Sequence, residues 1–186
     1  MELLKKVRFQ IEGACPILFD KPTGNDKLKT AADYLKDAEN KLYRNSDGEI
    51  CIPFMMLKAC IREGSRDLGK KLEGAKNRMS IRSSLFSIED LFPLKFKAKD
   101  KIGITVHDGI EVHNVKRQGS GGKFTMVQSY RPIIKQWISD GELIIYNGIP
   151  PEFINQALAN GGLLYGIGGF RPEFGRFFIN KFEEVK

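Results

Sequence analysis

Val7, Phe9 and Ile11 alternate with Lys6, Arg8, Gln10 and Glu12, the period-two pattern of a half-buried strand. The pattern continues through Gly13 and Pro16 to Ile17 and Phe19, and Pro16, which has no N–H, predicts a bulge or an edge there. Residues 20–49 are polar and charged and predict a surface insertion, with a short helix over Thr30 to Leu42 and a closing turn at Asn45-Ser46-Asp47-Gly48. Ile52-Pro53 opens the clearest helix of the chain, with Phe54, Leu57, Ile61, Leu68 and Leu72 on one apolar stripe. Ile81 to Lys97 alternates loosely through Leu85, Ile88, Leu94 and Phe96 and predicts one or two strands. A further strand region runs from Ile104 to Val115.

Gln118-Gly119-Ser120-Gly121-Gly122 reads as a tip between two strand-like arms, a hairpin over about 112–131. Ile133 to Ile138 reads as a strand that meets Asp140-Gly141, a two-residue turn signal, and returns through Leu143 to Tyr146. Pro151 starts a second helix with Phe153, Ile154, Ala157 and Leu158 at helical spacing, and Phe177 and Ile179 open a final strand. This order predicts an α+β protein: a ferredoxin-like or RNA-recognition-motif-like antiparallel sheet with two main helices and a protruding β-hairpin, residues 1–186 forming one domain. Such a sheet can serve as a platform for single strands, and Tyr130, Phe124 and Phe170 are candidates for base stacking or for the core. No basic-Gly-aromatic-x-aromatic run falls on a central strand, so an ordinary RNA-recognition motif is not supported.

Between the second helix and the last strand the chain crowds Gly161, Gly162, Gly166, Gly168, Gly169 and Gly175 around Arg171 and Arg176. Glycine admits left-handed backbone and close approach of another chain segment or a ligand. Two readings follow: a tight packing corner, which glycines alone favour, or a cradle for phosphate.

Composition narrows the class. Apolar residues make up 41% and charged residues 28% of 186, an ordinary globular balance with length enough for a hydrophobic core. No run of about 18 apolar residues predicts a membrane span, and the first residues lack a signal-peptide core. Cys15, Cys51 and Cys60 are three scattered cysteines with no CxxC or Cys/His pairing, which predicts neither a disulfide framework nor a zinc site. The expectation is a reduced, cytoplasmic protein without metal, cofactor or membrane association.

Charge adds a direction. The net charge is +7, and the 28 residues from Val112 to Ser139 contain no acid while Lys116, Arg117, Lys123, Arg131 and Lys135 supply five cations. A concentrated positive field suits a polyanion, because phosphate contacts release counterions; the alternative is a solvated basic face. On the first helix Lys58, Arg62, Arg66 and Lys70 recur every four residues, a spacing at which like charges repel by roughly 0.2–0.5 kcal/mol per pair. Glu63 and Asp67 compensate in part, so that row is either solvated or phosphate-facing. Arg171 and Arg176 either join it in one phosphate track or pair with Glu173, Glu152 or backbone carbonyls. The expected partner is single-stranded DNA or RNA, and self-association along the strand is compatible with it. His107 and His113 are the only histidines, and as groups titrating near neutrality they are candidate general bases of a metal-independent endoribonuclease. No motif ties them to an oxyanion-stabilising site, so the preferred reading is non-catalytic.

Two motifs carry a resemblance. Gly48 to Arg62, GEICIPFMMLKACIR, resembles the turn, Ile-Pro and first helix of the RAMP proteins, the CRISPR effector backbone family. That family's run is Ile-Pro-Gly-Ser-Ser-Leu-Lys-Gly-x-x-Arg; Ile52, Pro53, Leu57, Lys58 and Arg62 match it, while Phe54, Met55 and Met56 stand in place of the small residues. The tail GIGGFRPEFGRFFI is similar to the same family's glycine-rich loop and last strand. The stretch Tyr130-Arg131-Pro132 to Trp137 and the ending Gly166 to Glu183 also resemble a family of small tailed-phage and prophage proteins. These carry Arg-Pro-x-x-x-x-Trp and Gly-Ile-Gly-Asp-x-Arg-Pro-x-Phe-Gly-Arg-Phe; Gly169 stands here where Asp is usual. The resemblance implies an RNA-recognition-motif-like core with a hairpin thumb, a nucleic-acid role in phage biology, and residence in a host cytoplasm. It equally admits a decoy subunit or protein-binding module that engages a host CRISPR effector. Family members that cut RNA carry an Asp before the Ile-Pro turn; Asp33, Asp37, Glu39 and Asp47 lie in that region outside any matching motif, and no catalytic residue is carried over.

Overall fold

In the computed structural model of the chain, residues 4–24, 28, 30–66, 68, 77–97, 99–118, 122, 124–146 and 148–185 are described. The opening alternation forms β1 (Leu4–Gly13) and buries Val7, Phe9 and Ile11 on one side. Past Gly13 the chain changes sheet rather than bulging: Trp137 Nε1 donates to the Cys15 carbonyl at 3.2 Å, Pro16 follows, and β2 (Ile17–Leu18) pairs elsewhere. Pro16 thus marks a transfer between sheets, where a missing N–H is harmless.

The polar insertion is itself folded. Thr30 caps α1 (Ala31–Ala38) with a reciprocal Thr30–Asp33 capping box, and a 3₁₀ turn, Glu39–Lys41, continues it. Asp37, Ala38 and Leu42 are buried, and Thr23 Oγ1 donates to Asp37 Oδ2 at 2.8 Å. After β3 (Cys51–Pro53), α2 (Phe54–Gly64) buries Phe54, Leu57 and Ile61 as the stripe predicts, with Cys60 and Gly64 between them. Leu72 and Lys70 lie outside the described residues.

Three sequence expectations change. Ile81 to Ser84 belongs to a helix, α3 (Asn77–Ser84), before the short β4 (Leu85–Phe86) and β5 (Leu91–Phe96); a loose alternation over so few residues does not separate helix from strand. Ile104 to Val115 is not one strand: β6 (Lys99–Gly103) ends first, and β7 (Gly109–Gln118) starts after an irregular stretch. Finally, Asp140-Gly141 is no turn. β8 (Phe124–Ile134) turns at 135–137, and β9 (Ile138–Tyr146) runs straight through both residues. Gly141 is there for close approach, since a Cβ would collide with the Phe92 ring, and Asp140 Oδ1 accepts from Lys95 Nζ at 2.6 Å.

α4 (Pro151–Asn160) begins with Pro151 at its first turn and runs into a π-helical turn, Gly161–Tyr165; the glycine-rich loop and β10 (Phe177–Val185) complete the chain. The antiparallel order β10-β1-β9-β5, with α2 after β1 and α4 after β9, is the ferredoxin-like arrangement expected from the sequence. β3, β4 and β6 widen this sheet to seven strands. β2, β8 and β7 form a second, three-stranded sheet whose outer part is the hairpin, three residues longer at each base than the expected 112–131.

Both main helices cover one side of the large sheet. Phe9, Phe92, Trp137 and Phe177 are fully buried in the shared core, each such burial stabilising by about 1.5–3 kcal/mol. α2 and α4 meet at Gly64 and Gly161, where a Cβ on either would strike the partner's backbone. No helix among the described residues is long and apolar enough to cross a membrane.

Candidate nucleic-acid interface

The hairpin separates the cations that the sequence groups together. Residues paired across an antiparallel ladder share a side. Val112 pairs with Tyr130, Lys116 with Met126 and Gln118 with Phe124, which sets these on one face. Glu111 pairs with Arg131, His113 with Ser129 and Arg117 with Thr125, which sets these on the other. On the first face Lys116 is exposed and makes no ion pair among the described residues, and Phe124 and Met126 beside it are 69% and 58% exposed. Tyr130 at the base of that face is buried and stacked on Tyr34 of α1 at 5.6 Å, so of the three candidate stacking rings it is spent on packing. Lys123 lies outside the described residues, and Lys135 is exposed at the turn after β8, its N–H donating to Asp108 Oδ2 at 2.7 Å.

Arg131 is 7% exposed. Its Nε and Nη2 both reach Asp20 Oδ2 at 2.8 Å, Lys41 reaches the other Asp20 oxygen at 3.0 Å, and Nη1 is buried without a hydrogen-bond partner. The guanidinium carbon sits 5.4 Å from the centre of the Phe170 ring. His113 stacks on the same ring at 4.2 Å, and Phe174 meets His113 edge-on at 5.6 Å. This cluster fastens the glycine-rich loop to the second hairpin face. His107 is placed by Glu39, with 2.6 Å between Nε2 and Oε1.

The glycine-rich loop spends its amides on the fold. Gly166 N–H goes to Gly161 O at 2.8 Å, Ile167 N–H to Gly175 O at 2.9 Å, Gly169 N–H to Leu18 O at 2.7 Å and Gly175 N–H to Pro16 O at 2.8 Å. Gly168, at φ +86, turns its N–H to the Met56 sulfur and packs against Leu18 O; Gly175, at φ +75, packs against Ile167 O. The packing-corner reading of the glycines therefore holds over the phosphate cradle, for want of free amides at these positions.

The arginines of that loop take backbone carbonyls, Arg171 Nη1 with Gly166 O at 3.4 Å and Arg176 Nε with Pro172 O at 2.8 Å; both residues remain exposed. Arg171 and Arg66 share an open cleft of about 750 Å³ with Glu63, Tyr165, Phe170 and Pro172, so part of the expected track exists. Arg62 and Arg66 both reach Glu63. Lys58 and Arg176 do not line the cleft. Lys58 Nζ instead lies over the Phe54 and Phe86 rings at 5.5 and 5.4 Å, and burial, then the nearby charge of Arg82, hold its pKa below the ordinary value.

The open face of the large sheet is a field of compensated charge. Glu142 takes Lys6 and Arg8, Asp140 takes Lys95, and Glu12 takes Lys97 and Asn180. Hydrogen bonds from Lys6 and Arg8 hold the Glu142 carboxyl below the usual range, as Asn180 and then Lys97 do for Glu12. A sheet platform for stacked bases needs exposed rings on the central strands, and β1 and β9 carry these ion pairs instead. Sequence reasoning missed this pairing because it joins residues from different strands, 45 positions apart for Lys95 and Asp140 and 134 for Arg8 and Glu142.

No family model matches the chain, and no curated protein matches its sequence. Solved structures do. A chain from the cryo-EM structure of the type III-B Cmr-beta complex bound to cognate target RNA aligns with a TM-score of 0.56 at 12% identity, over 98% of this chain and 61% of that one. Cmr6 from Pyrococcus furiosus aligns with a TM-score of 0.47 at 9% identity, over 96% of this chain and 99% of that one. The first likeness is one of fold, in agreement with the RAMP-like architecture expected from the motifs, and this chain spans 61% of that neighbour's length.

Proposed function

We propose that the chain is a non-catalytic binder of single-stranded nucleic acid, DNA or RNA, serving a tailed phage or prophage. The observation that carries this reading is the hairpin: the acid-free segment stands out as a two-stranded arm, with Lys116 unpaired among the described residues beside exposed Phe124 and Met126. A cation for the phosphate and apolar surface for an unstacked base are the two needs of single-strand binding. Lys135 at the hairpin base and Arg66 and Arg171 in the cleft extend the cationic surface. Lys116, Arg117, Lys123 and Lys135 are assigned to the strand's phosphates, with Arg62, Arg66 and Arg171 as a second contact region. Lys58, Arg131 and Arg176 are assigned to holding that surface in place. The neighbour bound to target RNA is a fold-level parallel that supports the same direction.

The test is the salt dependence of binding to labelled DNA and RNA oligonucleotides. Affinity is expected to fall with salt at a log–log slope of about −0.7 per phosphate contact. Lys116→Gln is expected to reduce the slope by about one contact, and Phe124→Ser to weaken binding by about 1–3 kcal/mol with the slope unchanged. Absence of a salt-sensitive shift at low micromolar protein would sink the proposal. A second reading, a decoy or protein-binding module for a CRISPR effector, is favoured by the fold likeness across 98% of the chain. It predicts a stoichiometric protein partner in a pull-down and no intrinsic strand binding.

A further inference from the structure

Two long strands lie at the outside of the sheets, and they differ. β10 is interrupted by a register shift between Gln10 and Ile11 of its neighbour, which places Asn180 out of the ladder. Bulges of this kind blunt an edge against pairing. β7 pairs with β8 over ten consecutive positions, Gly109 to Gln118, with no shift and no proline, and its other edge has no strand partner among the described residues. That edge is long and its register is unbroken by a bulge.

Its sequence, GIEVHNVKRQ, is charge-complementary to itself in one register. When two copies of β7 lie antiparallel about a two-fold axis normal to the sheet, residues of like parity face one another. With the axis at Asn114, Glu111 of each copy falls opposite Arg117 of the other, Val112 opposite Lys116, and Asn114 opposite itself. Moving the axis to His113 or Val115 leaves Glu111 without a cation opposite it. In the Asn114 register the exposed Val112 joins the row of Lys116 and Met126, so the lysine stem lies between two apolar side chains. Glu111 falls in a row between Arg117 of the other copy and Arg131 of its own ladder.

We infer that two copies of the chain pair along β7 in this register, joining the two hairpins into one continuous four-stranded ribbon. Cross-strand charge pairs and amide pairs set the register, as they do within a sheet. The interface is isologous, so each contact off the axis occurs twice. Lys116 stays exposed in the ribbon, so its cationic surface is doubled.

The test is the mass of nuclease-treated protein by sedimentation over a micromolar concentration series, which keeps it independent of nucleic-acid binding. A species of twice 21.0 kDa is expected. Arg117→Glu sits opposite Thr125 in its own hairpin, so it introduces no like charge there and sets acid against acid twice in the dimer. It is expected to weaken dimerisation by about tenfold or more. Adding Glu111→Lys swaps both charges and restores the dimer. If the double variant loses its circular-dichroism spectrum, because the introduced lysine would face Arg131, Glu111→Gln in the Arg117→Glu background relieves the repulsion and recovers part of the dimer. A monomer at every concentration overturns the inference. So does an Arg117→Glu variant that dimerises like the parent, or a folded charge-swap variant that stays as weak as the single one.

Discussion

Removing the Arg131 side chain separates a strut from a phosphate ligand. In Arg131→Ala the two 2.8 Å bonds to Asp20 are lost together with the contact to the Phe170 ring. Breaking a fully buried pair costs about 3–5 kcal/mol, but the Asp20 side chain is 36% exposed, so water can take over its carboxylate. Bonds to charged groups contribute about 1.5–3 kcal/mol net, and the cation over the ring adds about 0.5–1 kcal/mol. The expected loss is therefore about 2–4 kcal/mol, and for a chain of this length each kcal/mol lowers the melting temperature by about 2–4 °C. Arg131→Lys keeps the charge but not the planar fork, and is expected to recover less than half of the loss. The assay is thermal and urea unfolding beside the salt slope of oligonucleotide binding at a temperature where both variants are folded. Stability should fall while the slope is kept. An unchanged melting temperature with the slope reduced by one contact would refute the strut and return Arg131 to the phosphate track.

Two further predictions concern the core. Gly141→Ala is expected to destabilise by about 1–3 kcal/mol, because its Cβ meets the Phe92 ring, itself held edge-on by Phe9 and Phe54; the urea midpoint reads this, and Phe92→Leu should restore part of it. An unchanged or raised midpoint would mean that the ring moves aside freely. Burial pushes the Cys60 thiol up to about 12 and Cys51 to about 11, so between pH 9 and those values the unfolded chain ionises while the fold keeps its protons. Stability should be full below the ordinary thiol pKa and fall above it, and Cys60→Ala should lessen the decline by about 1.4 kcal/mol per pH unit in urea unfolding at alkaline pH; equal slopes in the two proteins would count against the burial of that thiol.

The parts of the fold that were legible in sequence are those set by near neighbours. β1, α2, α4 and β10 each carry their own period, and their order is enough to name the ferredoxin-like path. The misreadings have two causes. Asp140-Gly141 has local turn chemistry, yet Gly141 is selected by the Phe92 ring from a strand almost fifty residues earlier, and Asp140 by Lys95. α3 is short and weakly patterned, so propensity could not outvote an accidental alternation there.

The candidate site shows the same division more sharply. Basic residues are easily counted along a chain, but their function depends on which carboxylates fold against them. Within the one acid-free segment, Lys116 and Arg131 are indistinguishable as sequence: no acid lies near either. Tertiary structure brings Asp20 to Arg131 from 111 positions away and brings none to Lys116 among the described residues. The same operation neutralises Lys6, Arg8, Lys95 and Lys97 on the open sheet face. Among the described residues it leaves Lys116 on the hairpin without an acid, and in the cleft it leaves Arg171 without one beside an Arg66 that Glu63 already answers. A net charge of +7 therefore understates how localised the field is, since much of the basic content outside those surfaces is already answered from within the fold. Affinity for a strand should then follow substitutions at Lys116 and Arg171 and be indifferent to charge removal at Lys95 or Lys97, which a binder governed by net charge alone would not be.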